Sequence, residues 1–73
     1  MTRVEAIQAM RYGERITHTY FSPDEYLFME EEEVSSEDGV HWGYINDPRN
    51  FKCTCLDPTD PTFDDGWSIY KPQ

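Results

Sequence analysis

The stretch "EYLFMEEEE", Glu25–Glu33, runs from an apolar, aromatic segment straight into four consecutive carboxylates. How it is divided decides the fold. Aromatic and long apolar side chains over Glu25–Met29 suit a pleated, half-buried surface, so a β-strand is expected there. Two readings are open for Glu30, Glu31, Glu32 and Glu33. In one they are the solvated rim of the sheet, where charge keeps an edge from pairing with another chain. In the other they form a carboxylate surface that imitates a polyanion and draws in a basic partner through long-range attraction.

Upstream, "ERITHTYF" (Glu14–Phe21) alternates, with Ile16, His18 and Tyr20 on one side and Arg15, Thr17, Thr19 and Phe21 on the other. Its β-branched and aromatic content predicts a strand. "SPDE" predicts a turn, because Pro23 is preset for the first corner and Ser22 and Asp24 bond nearby amides. The two strands therefore form a hairpin. Before them, "TRVEAIQAMRYG" (Thr2–Gly13) carries helix signals at both ends. Thr2 and Glu5 have the spacing of a capping box. Val4, Ala6, Ile7 and Met10 form an apolar stripe at helical period, and Gly13 supplies the stop.

Downstream, Asp38-Gly39 marks a turn and "VHWGYI" (Val40–Ile45) a third strand, in which Gly43 makes a bulge or leaves room for an approach to the backbone. "NDPRN" (46–50) reads as a loop and "FKCTCL" as a short alternating segment. The prolines of "DPTDPTFDDG" disfavour helix and strand alike. "WSIY" closes as a last strand with Trp67 and Ile69 on one face. No internal repeat is present. The expected architecture is α+β, with one N-terminal helix packed on a small antiparallel β-sheet in a single domain over residues 1–73.

At 73 residues the core is marginal, with a net stability of roughly 5 kcal/mol or less. Two tryptophans, five tyrosines and four phenylalanines supply large buried area per residue and argue for a packed domain rather than a disordered acidic chain. Fifteen acidic residues against six basic leave a net charge of −9, which repels phosphate backbones, so no direct nucleic-acid binding is expected. The acid is concentrated in Glu30–Asp38 and Asp57–Asp65. Only two cysteines occur, so no disulfide framework is expected. No apolar run approaches a membrane span and no signal-peptide pattern stands at the N-terminus. A soluble, cytoplasmic protein with reduced thiols is the expectation.

Three stretches carry a resemblance: "EAIQAMRYGERIT", "EYLFM" and "DDGWSIY". In this order they resemble a group of small phage accessory proteins that includes the Thoeris anti-defence sponges. The resemblance covers about half of the chain, at both ends. It implies an α+β phage protein that binds and sequesters a cyclic ADP-ribose-like or cyclic nucleotide immune signal without degrading it, in the cytoplasm of the infected host. It also implies a homo-oligomer, which suits a chain too small to enclose a ligand alone. Such proteins often have Arg and Trp in the first strand, where this chain has His18 and Phe21, and neither the glutamate run nor "CTC" has a counterpart.

Among the residues themselves, an aromatic face with a nearby Arg can stack a base and pair a phosphate. Arg15, His18, Tyr20, Phe21 and Trp42 are the candidate ligand-binding residues, with Trp67 assigned to the core. In the alternative, Glu30–Glu33 meet a basic host protein, as in an anti-CRISPR or anti-restriction DNA mimic. A structural or assembly protein is a third possibility. Cys53 and Cys55 are the minimum for a soft-metal pair, but His18 and His41 stand at no recognisable ligand spacing, so no metal and no cofactor are expected. The Asp spacing in 57–66 does not fit an EF-hand. A Cys–His pair can be written on paper, yet nothing positions it and no catalytic motif is present, so a non-enzymatic role is expected.

Overall fold

The chain folds, in a computed structural model that describes residues 1–47 and 49–71, as one helix and a five-stranded antiparallel sheet. Helix α1 (Arg3–Arg11) is followed by β1 (Ile16–His18), β2 (Leu27–Glu30), β3 (Glu33–Ser36), β4 (His41–Tyr44) and β5 (Trp67–Ile69), in sheet order β4-β3-β2-β1-β5. The architecture is α+β. The loop expected over 46–50 is seen except at Pro48, which lies outside the described residues. No helix among the described residues is long and apolar enough to cross a membrane.

The helix begins where its capping spacing places it. Thr2 Oγ1 accepts from the Glu5 amide at 3.2 Å and Glu5 Oε1 accepts from the Thr2 amide at 2.8 Å, so two donors of the first turn are satisfied reciprocally. The hydrogen bonds to Glu5 from the Thr2 backbone and hydroxyl hold its carboxyl below the ordinary value. The buried face differs from the expected stripe. Ala6 and Met10 are buried and Ile7 packs against the core, but Val4 is 68% exposed. Arg3 turns inward instead. Its guanidinium bonds Asp64 Oδ1 at 2.7 Å and the Asp60 carbonyl, and its amide donates to the Asp64 carbonyl at 2.9 Å. A residue that looked like helix surface thus anchors the acidic 57–66 segment across the helix N-terminus.

The glutamate run is a hairpin, a correction to its reading as a rim. Glu30 ends β2 and pairs with Glu33, the first residue of β3, while Glu31 and Glu32 form the two-residue loop at φ 50° and 71°. Positive φ at both loop residues is what a type I′ turn demands, and Asn-Gly is its usual sequence. Nothing in four glutamates signals it, so the strand Glu33–Ser36 was not anticipated. Two contacts stabilise the loop. The Arg11 guanidinium from the last turn of α1 holds both carboxylate oxygens of Glu32, and the Ile45 amide donates to the Glu32 carbonyl at 2.8 Å.

The first strand is shorter than expected. The Phe21 amide turns back onto the His18 carbonyl at 2.9 Å, so alternation ends at His18 and Tyr20 leaves the strand. "FKCTCL" does not alternate throughout, because it enters a 3-10 turn at Thr54–Leu56. A second 3-10 turn, Pro61–Phe63, starts where Asp60 caps the Thr62 amide at 3.0 Å.

Ala6, Met10, Ile16, Leu27, Val34, Cys53, Leu56 and Trp67 form one core cluster between one face of the sheet and the covering elements, α1 and the long β4–β5 connection. That connection crosses at Gly43. The β3–β4 register shifts between Val34 and Ser35, and a Cβ on Gly43, whose φ is +100°, would meet the Asn50 carbonyl oxygen at 2.5 Å. Both expected uses of this glycine are therefore realised. Gly43→Ala should cost about 3 kcal/mol in urea unfolding, from left-handed backbone and a backbone clash together. Glu31→Gly, at a position where the present residue is strained, should instead stabilise by about 1 kcal/mol.

Candidate functional site

Strand alternation puts every second residue on the face away from α1. Ile16 and Leu27 face the core as direct partners in β1 and β2, so their chain neighbours Arg15, Tyr26 and Phe28 face outward. Tyr70 joins them because its amide donates to the Arg15 carbonyl at 2.8 Å, extending the β1–β5 ladder by one residue. The four side chains meet. The Arg15 guanidinium carbon lies 4.9 Å from the centre of the Tyr26 ring. Tyr26 in turn lies 4.6 Å from Tyr70, tilted by 33°, and 6.1 Å from Phe28.

Beside this cluster runs an open groove of about 470 Å³ lined by Gly13, Arg15, Tyr26, Phe28, Met29 and Glu30. Arg15 is exposed, and it has no carboxylate partner among the described residues. The arrangement offers a cation held over a π-face, next to further rings on which a flat ligand can lie.

The sequence-predicted ligand residues divide among four places. Arg15 is on the open face. His18 is in the core at 4% exposure, a correction to its assignment as a ligand contact. Its Nδ1 accepts from the Tyr20 amide at 3.0 Å, so Nε2 carries the hydrogen and donates to the Asp65 carbonyl at 2.6 Å. Both nitrogens are satisfied within the chain, and Phe63 and Trp67 pack against the ring edge-on. Tyr20 is 71% exposed on the adjoining turn, its ring 5.0 Å from that of His18.

Phe21 and Trp42 line a second cleft of about 420 Å³ together with Cys53 and Cys55, and Tyr26 lines both this cleft and the groove. Trp42 Nε1 donates to Ser36 Oγ at 3.2 Å. Glu25, Glu37 and Asp38 also line this cleft, and no Lys, Arg or His does. The Ser36 hydroxyl and the Val40 amide hold the Asp38 carboxyl below its ordinary value.

The glutamates of the alternative site are not equivalent. Glu30 and Glu31 are exposed at the hairpin tip, Glu32 is taken by Arg11, and Glu33 Oε1 lies 3.2 Å from His41 Nδ1. Ser35 Oγ approaches the same His41 nitrogen at 3.0 Å. Because both partners converge on Nδ1, the group lacks the serine–imidazole–carboxylate relay, which uses the two ring nitrogens separately. Among the described residues no three His, Cys, Asp or Glu side chains are grouped to hold a metal ion.

Tyr26 and Phe28 are site residues that the sequence reading does not assign. Their signal was available, since a core assignment for Ile16 and Leu27 forces Arg15 and Tyr26 to the opposite face. If the partition is right, His18→Ala should cost about 3 kcal/mol through cavity and lost hydrogen bonds. Arg15→Ala and Tyr26→Ala should each cost about 1 kcal/mol or less. Urea denaturation of the three variants checks this order. Comparison with protein-family models, curated proteins and solved structures gave no match to the chain.

Proposed function

We propose that this chain is a non-enzymatic binding protein that sequesters a nucleotide-derived signal of the cyclic ADP-ribose or cyclic nucleotide type, the activity implied by its resemblance to phage anti-defence sponges. One observation carries the reading: the Arg15 guanidinium lies over Tyr26, which is stacked against Tyr70 on the uncovered sheet face. A base lies on the tyrosine rings and a phosphate pairs with Arg15, whose fork of donors fits phosphate oxygens. Glu30, which also lines the groove, accepts from ribose hydroxyls. The groove is open on one side, so a second copy closes it, and the working form is a homo-oligomer in the cytoplasm of the infected cell.

Glu30 and Glu31 favour a second reading, an acidic inhibitor or DNA mimic that occludes a basic host surface, because they are exposed side by side on a chain of net charge −9. A thermal-shift series against cyclic ADP-ribose and cyclic nucleotides separates the two. Sequestration predicts a raised melting temperature, intact ligand recovered after heating, and at least about tenfold weaker binding in Arg15→Ala. Glu31→Gln should bind as the parent does. Absence of any shift across the series would overturn the sponge reading. The mimic predicts instead that Glu31→Gln slows association with a basic partner in a salt-dependent manner.

A further inference from the structure

Cys53 and Cys55 are free thiols whose sulfurs lie 3.1 Å apart. Cys53 is buried in the core cluster, Cys55 is half-buried, and both line the cleft bounded by Phe21 and Trp42. Close pairing of two thiols has two common uses, a soft-metal site or a disulfide. Zinc needs about four ligands, and among the described residues no third metal-binding side chain joins the pair. A disulfide needs the sulfurs to close to about 2.05 Å, which from 3.1 Å is a small displacement.

We propose that Cys53 and Cys55 form a reversible thiol–disulfide couple that exchanges with small cationic or uncharged disulfides entering the carboxylate-lined cleft. The inference stands independently of the nucleotide reading. Glu25, Glu37 and Asp38 line the cleft, among the described residues no cationic side chain does, and Arg3, whose charge reaches Cys55, is paired with Asp64, so the local field attracts a positively charged reagent and repels an anionic one. A ring closed between residues i and i+2 is short and strained, and strained disulfides are the readily reduced ones, so the bond is labile rather than a permanent cross-link.

The step balances as ordinary exchange. The Cys53 thiolate attacks one sulfur of R–S–S–R and forms a mixed disulfide, and the expelled thiolate takes up a proton. Cys55 then loses its proton to solvent, attacks the Cys53 sulfur and expels the second thiolate as RSH. Two protein thiols are oxidised and one reagent disulfide is reduced to two thiols. Sharing of one hydrogen between the two sulfurs favours Cys53 as the attacking thiol. The hydrogen bond from the Cys55 thiol lowers the pKa of Cys53, whereas donating it, together with burial, raises that of Cys55. The thiolate is the nucleophile, so the rate climbs with pH and levels off at a lower pH than for an ordinary thiol.

The reduced chain is incubated separately with cystamine, hydroxyethyl disulfide and oxidised glutathione, quenched in acid, and weighed intact and after trypsin. Cleavage after Lys52 leaves both thiols on one peptide. The expected product has lost the mass of two hydrogens on that peptide and is restored by dithiothreitol. Cystamine should react fastest and oxidised glutathione slowest. Their ratio should exceed that of the same chain unfolded in urea by about tenfold at low salt and shrink as salt is added. Cys55→Ser should stop at the mixed disulfide on Cys53. The wild-type products decide the matter if that variant does not fold. A persistent mixed disulfide on the wild-type chain, a cross-linked dimer, or the same rate order and ratio folded and unfolded would overturn the proposal.

Discussion

Antiparallel pairing of β1 with β5 is the constraint on which the other features rest. It joins residues some fifty positions apart, matching Ile16 to Ile69, Thr17 to Ser68 and His18 to Trp67. On the covered face this register sets His18 against Trp67, with Phe63 packed on both rings. On the uncovered face it sets Tyr70 beside Arg15 and Tyr26. Contact is close enough that a Cβ on Gly66, at φ +94°, would lie 2.9 Å from His18 Nε2. Gly66 therefore lets the acidic segment reach the strand, and the Asp65 carbonyl then receives the His18 N–H. A bond between an imidazole and a loop carbonyl thus holds the aromatic core and the open face in register.

A chain of net charge −9 must also keep its carboxylates from driving the segments apart. The structure places one arginine in each acidic region. Arg3 enters the 57–66 segment, its side chain 10% exposed, and pairs with Asp64. Its Nε is buried without a hydrogen-bond partner, so the anchor is retained despite an imperfectly satisfied guanidinium. Arg11 enters the glutamate hairpin at Glu32, one of its two positive-φ residues. Other carboxylates are satisfied locally. Asp57 receives the Thr59 amide at 2.9 Å and hydroxyl at 2.8 Å, contacts that keep its carboxyl below the ordinary value.

What could be read in the sequence was what local spacing determines. The helix caps, the β1 and β2 strands and the closing Trp67 strand follow from side chains a few residues apart, and the structure has them. The failures each involve a partner far along the chain. Val4 fits the apolar stripe better than Arg3 does, until Asp64 draws Arg3 inward. His18 resembles a ligand contact until the Asp65 carbonyl and the Tyr20 amide take both its nitrogens. The hairpin at Glu31 and Glu32 carries no turn chemistry of its own, because a helix-borne arginine and the Ile45 amide stabilise a loop that Asn-Gly would form unaided. Arg15 was found because its alternation with Ile16 is local. Its ring partners were not, because Tyr70 reaches it only through the β1–β5 ladder.

The same distribution of charge distinguishes two concave regions of the molecule. With Arg3 and Arg11 engaged by the acidic segments, Arg15 is the cation that the fold leaves on the uncovered sheet face, held by a ring rather than a carboxylate. An anion approaching Arg15 has no paired carboxylate to displace, although Glu30 lines the same groove. The cleft at Cys53 and Cys55 has the opposite character, with three acidic side chains and no basic one in its lining. A phosphate-bearing ligand is repelled there, and a neutral or cationic one is not. Two sites of opposed electrostatic preference thus occur on 73 residues. They adjoin at Tyr26, which meets Arg15 and Tyr70 and also lines the cysteine cleft beside Leu27.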